Sequence, residues 1–360
     1  MPEKLAIAMS GGVDSSAAAC LLQEQGYDLI GMTMKLFDRP DQVWTDGEDA
    51  KAVARQLGFP HHMVDLSPCF RAQVMDSFAA AYEAGYTPNP CVTCNRHIKF
   101  GALLQKALEL GCEKIATGHY AQVEYDSGSG RWLLKKALHP EKDQSYVLST
   151  LTQAQLSRVL LPLGVLSKEE IRDIAHSRGL VTAHKSDSQD ICFIPDGDYS
   201  AFIRRHTGKS YPSGPFLDQE GAPLGRHTGI IDYTVGQRRG LGVSSSCGRL
   251  YVKEIRPEDN AVVLSDNESL FADTLIAGDL NLIPCDRLDG PVRLRAKIRY
   301  RMKEQPCIVE QTGPRSIRLT FDQPQRAITP GQTVVLYDGD TVVGGATILK
   351  GVNPHESKET

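Results

Sequence analysis

The stretch Lys4-Leu-Ala-Ile-Ala-Met-Ser-Gly-Gly-Val-Asp-Ser-Ser16 decides the fold of this protein. Residues 4–9 predict a buried strand, which Ser10-Gly11-Gly12 ends. Residues 15–25 predict a helix, because their apolar side chains recur on one face. A glycine pair lets the backbone approach an anion closely, and a helix N-terminus adds free N–H groups and a partial positive charge. The stretch therefore predicts a phosphate-binding loop between a strand and a helix.

The polar side chains of this loop indicate its chemistry. Ser15 and Ser16 can donate hydrogen bonds, whereas the carboxylate of Asp14 would repel a phosphate unless a cation lies between them, so we assign Asp14 to Mg²⁺. No Gly-Lys-Ser/Thr follows, which excludes a Walker A loop. The loop resembles that of the ATP pyrophosphatase superfamily (PP-loop enzymes), which release pyrophosphate and leave AMP on the substrate. The alternative is an ordinary tight turn in which Asp or Ser caps the helix.

Strands and helices alternate through the first half of the chain. Such alternation predicts an α/β domain, residues 1–207, with a parallel sheet and helices on both faces. Beyond the first strand and helix, we expect strands at 28–34, 62–66 and 114–117 and helices at 48–57, 71–84 and 98–110.

The second half has short alternating runs separated by Gly, Pro, Asp and Asn, which is typical of small β domains. We expect a small central domain at 208–272, a C-terminal β-barrel at 273–352 and a polar tail at 353–360. The predicted strands are 229–234, 250–255, 261–264, 292–298, 316–321, 333–337 and 341–348.

Composition and charge limit the function classes. The 360 residues suit two or three domains, and their formal net charge is −4. A nucleic-acid binder would therefore need clustered basic residues, and nine basic against three acidic residues lie between Pro291 and Arg326. No run is long enough to span a bilayer, and no signal-peptide core follows Met1. We expect a cytoplasmic protein with no membrane partner.

The nine cysteines include three with polar surroundings. An odd count in a large cytoplasmic chain argues against a disulfide framework. Cys91 and Cys94 precede the helix expected from Ile98, beside Arg96 and Lys99, so we expect lowered thiol pKa values there. The alternatives are half a zinc site or a redox pair. Cys192, between two apolar residues, could equally be ordinary core.

Further strings extend over nearly the whole chain: Ser10–Ser16, Asn89–Phe100, Thr117–Ala121, Lys142–Tyr146, Asp187–Ile194, Tyr233–Gly242, Arg299-Tyr300 and Thr329–Gln332. With them the chain resembles the tRNA-specific 2-thiouridylase family, which thiolates the wobble uridine (position 34) of certain tRNAs. The resemblance implies that ATP adenylates the uridine 2-oxygen and that a persulfide sulfur then replaces it with release of AMP. It also implies a sulfur-donor protein as partner. The rival hypotheses are a PP-loop ligase or amidotransferase acting on a small molecule, and a non-enzymatic tRNA-binding protein.

The resemblance implies three sets of site residues. In catalysis, Asp14 would serve activation, Cys192 would carry the persulfide and Cys94 would resolve it. ATP would be held by Ala8, Met9, Ser10, Gly11, Gly12, Val13, Asp14, Ser15, Met34 and Gly118. The tRNA would be contacted by Asn89, Pro90, Cys91, Lys142, Asp143, Gln144, Arg299 and Tyr300.

The sequence departs from much of this family at Cys91, where many members carry Asp. The acid/base role given to that carboxylate does not transfer to a thiol. Cys91, Cys94 and Cys192 are also three thiolate ligands that leave one corner of a cubane open. A [4Fe–4S] cluster on these three residues is therefore the alternative to a mechanism in which Cys94 and Cys192 form a disulfide.

Overall fold

The computed structural model describes residues 2–38, 45–185, 191–243 and 248–352. Its first sheet is parallel, as the sequence predicts, and has five strands, of which the sequence predicts four. In order across the sheet they are β3 (His61–Asp65), β2 (Asp28–Lys35), β1 (Lys4–Ala8), β4 (Lys114–Thr117) and β7 (Val159–Leu160).

The chain leaves β1 towards β2 on one side and later returns to β4 on the other. Ala8 therefore lies beside Met32 of β2 and beside Thr117 of β4. The carboxyl ends of β1 and β4 form the point where the strand order reverses, which is where open parallel sheets bind ligands.

Helices cover both faces of this sheet, which confirms the predicted α/β architecture. Successive strand residues enter two different cores: Ala6 and Ile115 pack in one, and Leu5 and Ile7 in the other. The second core is covered by α1 (Val13–Glu24), α2 (Thr45–Leu57) and α9 (Lys168–Ser177). The first is covered by α3 (Ser67–Phe70), a π-helical segment Arg71–Asp76, α4 (Ser77–Glu83), α5 (Pro90–Cys94), a π-helical segment Asn95–Leu103 and α6 (Leu104–Glu109).

The helix expected to begin at residue 98 begins instead at Pro90. Proline fits the first helical position, because its missing N–H has no partner there in any case. Asn89 caps the helix by accepting a hydrogen bond from the Cys91 N–H at 3.1 Å. Cys91 and Cys94 consequently lie within the first turns of a helix and not in a preceding loop.

The central β domain contains four strands in the order β10-β11-β8-β9: β8 (Gly214–Leu217), β9 (Pro223–His227), β10 (Tyr251–Arg256) and β11 (Ala261–Ser265). The strand predicted at 229–234 is wrong, since Ile230–Asp232 forms a 3₁₀ turn. The Asp232 carboxylate accepts hydrogen bonds from Thr228 at 2.7 Å and from Arg204 at 2.7 Å, which bends the chain locally.

The C-terminal strands close into the predicted barrel. Closure arises because β12 pairs with both β15 and β17. The six strands are β12 (Phe271–Leu282), β13 (Val292–Lys297), β14 (Gln305–Gly313), β15 (Ser316–Arg326), β16 (Thr333–Asp338) and β17 (Thr341–Val352).

A hairpin of β5 (Gln122–Asp126) and β6 (Arg131–Lys135) joins this barrel sheet through the pair Lys135–Thr341. The N-terminal part of the chain thus adds two strands to the C-terminal sheet. The remaining helices are α7 (Ser145–Leu148), α8 (Gln153–Leu156) and α10 (Tyr199–Thr207). Within the described residues, no helix is both long and apolar enough to cross a membrane.

The barrel also clamps the segment that leads into α5. The Thr87 N–H donates to the Pro330 carbonyl at 2.8 Å, and Gln332 Nε2 donates to the Thr87 carbonyl at 2.7 Å. Between them, Gly331 has a φ of +88°, and a Cβ there would lie 2.8 Å from the Tyr86 Cβ. Both the backbone conformation and the close approach require glycine, so the barrel fixes the path of residues 86–89.

Gly331→Ala should therefore lower the free energy of unfolding by about 3 kcal/mol, the sum of left-handed backbone strain and local overpacking. Gly339→Ala is the matched control, because Gly339 has a φ of +55° with nothing within 4 Å of a Cβ. It should cost about 1 kcal/mol from strain alone. Urea unfolding of both variants measures the difference, and equal losses would show that the contact with Tyr86 is unimportant.

Candidate active site

The phosphate loop, Ser10–Ser16, is held in shape by its own serines. The Ser15 and Ser16 hydroxyls donate to the Gly12 carbonyl at 3.2 and 2.9 Å, and the Ser10 N–H donates to Ser15 Oγ at 3.2 Å. Gly11 has a φ of +73°, which a residue with a side chain rarely adopts. The loop is thus preorganised at the N-terminus of α1.

The residues assigned to ATP lie along one edge of the sheet. A Cβ on Gly118 would lie 2.8 Å from the Ser15 backbone nitrogen, so the chain after β4 packs directly on the first turn of α1. Met34, half-buried near the end of β2, lies one strand away from β1. The structure therefore brings the phosphate loop, Met34 and Gly118 together at the reversal point.

Asp14 has two partners within the protein. Its Oδ1 accepts hydrogen bonds from the Tyr120 hydroxyl at 2.6 Å and from Lys168 Nζ at 2.7 Å. Lys168 is the first residue of α9 and supplies a cation that sequence reasoning missed. The capping box of Ser167 and Glu170 could have indicated where that helix begins, but not that its first side chain reaches a residue 154 positions earlier.

The Mg²⁺ assignment of Asp14 stays a prediction. Asp14 Oδ2 has no hydrogen-bond partner among the residues that the structure describes. Mg²⁺ commonly binds one or two carboxylates together with substrate phosphates. A single carboxylate beside the phosphate loop fits that donor set.

The loop of Lys142, Asp143 and Gln144 is held tightly by its own side chains. The buried Asp143 carboxylate accepts hydrogen bonds from the Ala137 N–H at 3.0 Å, the Ser145 N–H at 3.1 Å and the Ser145 hydroxyl at 2.9 Å. Gln144 Oε1 accepts one from the Tyr120 N–H at 3.0 Å. The side chains of Asp143 and Gln144 thus hold the shape of the loop, and other atoms of the loop form its accessible surface.

The thiols of α5 differ from what the sequence predicts. Burial raises the pKa of Cys94 to about 12, and the positive charge of Lys99 opposes this only in part. Cys91 is solvent-accessible, yet the protein atoms around its thiol still raise its pKa. The expectation of lowered pKa values is wrong because desolvation outweighs Lys99, and because Arg96 turns away to an ion pair with Asp279 at 3.3 Å.

Lys99 lies between the cysteines and the ATP edge. Its Nζ is 3.4 Å from Nε2 of His119, whose Nδ1 is 2.6 Å from Thr117 Oγ1. Burial and Lys99 together hold the pKa of His119 well below its usual value, so the ring is neutral. Lys99 then donates to Nε2, and Nδ1 carries the proton and donates to Thr117. Sequence reasoning used Lys99 for the thiols but missed its contact with His119.

Cys192 lies near the α5 thiols. It is exposed, and its negative charge would raise the pKa of Cys94. The string before it, residues 186–190, lies outside the described residues. Among the residues described, no group of three or more His, Cys, Asp and Glu side chains is arranged to hold a metal ion. The [4Fe–4S] cluster on Cys91, Cys94 and Cys192 therefore stays a prediction.

The barrel contributes Tyr300 to this region. Tyr300 is 40% exposed and its hydroxyl donates to the Asp143 carbonyl at 3.4 Å. Its pKa is raised mainly by desolvation, with smaller effects from the nearby Asp143 and Cys91. Arg299 points elsewhere, since its guanidinium donates to the Ala327 carbonyl at 2.8 Å and to Thr329 Oγ1 at 2.7 Å. Arg299 therefore supports the loop before the Thr87 clamp, while Tyr300 reaches the thiols.

Part of the basic segment from Pro291 to Arg326 is paired with carboxylates. Arg293 pairs with Asp322 at 2.8 Å, Arg295 with Glu304 at 3.7 Å, and Arg315 with Asp279. The exposed basic residues of the segment whose side chains make no ion pair or hydrogen bond within the described part of the chain are Arg301, Lys303 and Arg318. Arg301 directly follows Tyr300, and its positive charge acts on the Tyr300 hydroxyl.

Three family models match successive parts of the chain. A tRNA methyl transferase HUP domain covers residues 3–196, and a tRNA methyl transferase PRC-barrel domain covers residues 200–266. An aminomethyltransferase beta-barrel domain covers residues 272–348. The three matches follow the parallel-sheet domain, the central β domain and the closed barrel.

Several known proteins are similar over nearly their whole length. The tRNA-specific 2-thiouridylase MnmA of Clostridioides difficile (strain 630) is 47% identical over 97% of this chain and 99% of its own. MnmA 1 of Caldanaerobacter subterraneus subsp. tengcongensis is 49% identical, over 97% and 98%. Among solved structures, the U34-tRNA thiolase NcsA from Methanococcus maripaludis with its [4Fe-4S] cluster is 20% identical, with a TM-score of 0.36 over 57% of this chain and 71% of its own. On its matched domains and its near full-length relatives, the chain belongs to the tRNA-specific 2-thiouridylase family.

Proposed function

We propose that this protein activates the 2-oxygen of the wobble uridine (position 34) of tRNA with ATP and transfers a persulfide sulfur to C2. The observation that carries the proposal is the convergence of three parts. The phosphate loop, the thiols of Cys94 and Cys192, and Tyr300 from the barrel are joined through Lys99, the 142–144 loop and the Thr87 clamp. A small-molecule ligase would have no use for the thiols or the barrel.

On the ATP side, the residues of the protein bind and orient the nucleotide. The N–H groups at the start of α1 would bind the phosphates, Gly118 packs directly on that first turn, and Met34 lies where it could cover the adenine. ATP supplies an adenylyl group, which turns the poor uridine leaving group into AMP. Asp14 Oδ2 would hold Mg²⁺, while Lys168 adds a second positive charge beside the loop.

On the sulfur side, each step balances with two cysteines. A donor protein loads Cys192 as a persulfide, and the exposure of Cys192 allows that contact. The terminal sulfur attacks C2 and expels AMP, which leaves a C2–S–S–Cys192 link. The Cys94 thiolate attacks Cys192 Sγ, and the bond between the two sulfurs breaks with its electron pair on the uridine sulfur. The product is 2-thiouridine and a Cys94–Cys192 disulfide, which an external thiol reduces by two electrons. As tRNA is the substrate, we place the reaction in the cytoplasm.

Burial of Cys94 keeps the sulfur-transfer steps in the right order. With a pKa near 12, Cys94 is a thiol at neutral pH and does not attack the persulfide early. Its proton must leave during turnover, and Lys99 is the cation that favours the resulting thiolate. Cys91 takes no covalent part and lines the base pocket beside Tyr300.

Cys192→Ser should block formation of 2-thiouridine, because a hydroxyl cannot carry a persulfide. The tRNA-dependent conversion of ATP to AMP and pyrophosphate should continue, because activation needs only the phosphate loop and the base. Thiolated nucleoside is measured by mass spectrometry and pyrophosphate by a coupled assay. The control is Cys285→Ser, a half-buried cysteine in the barrel region, which should leave both unchanged. Normal thiolation by Cys192→Ser, or no tRNA-dependent AMP from the wild type, would reject the proposed function.

Alkylation of Cys94 should be slow at pH 8. Because its pKa is raised from 9.0 to about 12, the reactive thiolate grows only as the pH rises towards 12. Iodoacetamide should modify Cys94 at least about a hundredfold more slowly in the folded protein than in the same protein unfolded in urea. Peptide mapping by mass spectrometry gives the rate for each cysteine. Equal rates for Cys94 in the folded and unfolded protein would contradict its burial as a neutral thiol.

Arg301→Gln should weaken tRNA binding and flatten its salt dependence. Each lost phosphate contact removes about 0.7 to 0.9 from the slope of log K against log salt. Arg293→Gln is the control, since its guanidinium is already paired with Asp322 and should change the slope less. Filter binding across a salt series measures both. An equal change of slope would show that the ion pair does not withhold Arg293 from tRNA.

A further inference from the structure

Tyr120 makes polar contacts in two directions. On one side its hydroxyl donates to Asp14 Oδ1 at 2.6 Å in the phosphate loop. On the other, its backbone N–H donates to Gln144 Oε1 at 3.0 Å, and its carbonyl accepts from the Gln144 N–H at 2.8 Å. Tyr120 itself is 2% exposed, whereas its partners Asp14 and Gln144 are half-buried.

The contacts are rigid as well as direct. Two hydrogen bonds to one residue fix the backbone of Tyr120 against the 142–144 loop, and packing of the buried ring fixes the hydroxyl. Gly118, two residues before Tyr120, touches the first turn of α1 without a Cβ between them. Displacement of the 142–144 loop therefore moves Tyr120 and changes its bond to Asp14.

The hydrogen bond from Tyr120 to Asp14 affects the position of the Asp14 side chain, because its acceptor is a carboxylate oxygen. A hydrogen bond to a charged partner is stronger than one between neutral groups, and its length and direction decide where the carboxylate lies. Lys168 binds the same oxygen at 2.7 Å, which leaves Oδ2 for a ligand. Tyr120 and Lys168 together hold the Asp14 carboxylate through Oδ1.

We propose that Tyr120 is a positioning residue that ties Asp14 to the 142–144 loop, so that tRNA bound at this loop sets the geometry for ATP activation. This inference rests on the proposed function and deepens it, since it assigns the origin of the tRNA dependence to one hydroxyl. Such coupling is reciprocal: if tRNA promotes ATP use through Tyr120, a bound ATP analogue tightens tRNA binding through the same contact.

The test is Tyr120→Phe, which removes one oxygen and keeps the ring. The chain offers a matched control in Tyr211, whose hydroxyl donates to Glu83 Oε1 at 2.5 Å while Lys209 Nζ binds the same oxygen at 2.9 Å. Tyr211→Phe thus breaks the same chemical arrangement away from the site. Thermal unfolding of both variants establishes that they are folded. If Tyr120→Phe does not fold, Gln144→Leu breaks the link from the 142–144 side and is assayed at saturating tRNA.

Two ratios are measured for each protein. One is the rate of AMP formation with tRNA over the rate without it, and the other is the Kd of tRNA without a non-hydrolysable ATP analogue over the Kd with it. Both ratios should exceed one in the wild type and in Tyr211→Phe. In Tyr120→Phe, each ratio should be about tenfold smaller than in the wild type, or equal to one. Wild-type ratios in Tyr120→Phe, or equal losses in Tyr211→Phe, would overturn this inference and leave the proposed function standing. No tRNA-dependent AMP in the wild type would instead reject the proposed function itself.

Discussion

The close contact between Gly118 and the first turn of α1 is the constraint on which the site depends. Because no Cβ separates them, the end of β4 and the phosphate loop after β1 behave as one unit at the point where the strand order reverses. This contact also fixes the position of the residues that directly follow Gly118. His119 contacts Lys99 and Tyr120 contacts Asp14, so one short segment joins the helix that carries the cysteines to the phosphate loop.

In this region, burial shifts the pKa values of the thiols and of His119 more than neighbouring charges do. Burial raises the pKa of the Cys91 and Cys94 thiols although the charge of Lys99 opposes it, whereas for His119 burial and Lys99 act together to keep the ring neutral. Asp14 differs from these groups in that a lysine and a tyrosine both bind one of its carboxylate oxygens directly.

The fold was largely predictable, since strand and helix patterns are local. The parallel sheet, the phosphate loop and the closed barrel follow from runs of apolar residues and from glycine placement. The 3₁₀ turn at Ile230–Asp232 was missed because its cause is Arg204, distant in sequence. The same applies to the site. The family strings gave the residues of the phosphate loop and the cysteines, but the contact of Lys168 with Asp14 and the raised pKa of Cys94 depend on tertiary packing that no local pattern encodes.

The Thr87 clamp and the β5–β6 hairpin bear on how the protein is made. The segment that leads into the cysteine helix receives its hydrogen bonds from Pro330 and Gln332, and the hairpin receives its neighbour from Thr341. A ribosome synthesises those partners near the end of translation. During most of its synthesis the nascent chain can therefore assemble the parallel sheet and the phosphate loop while the region around Cys91 and Cys94 still lacks its support. The order of synthesis thus allows the phosphate loop to form before the segment that leads into the cysteine helix is held in place.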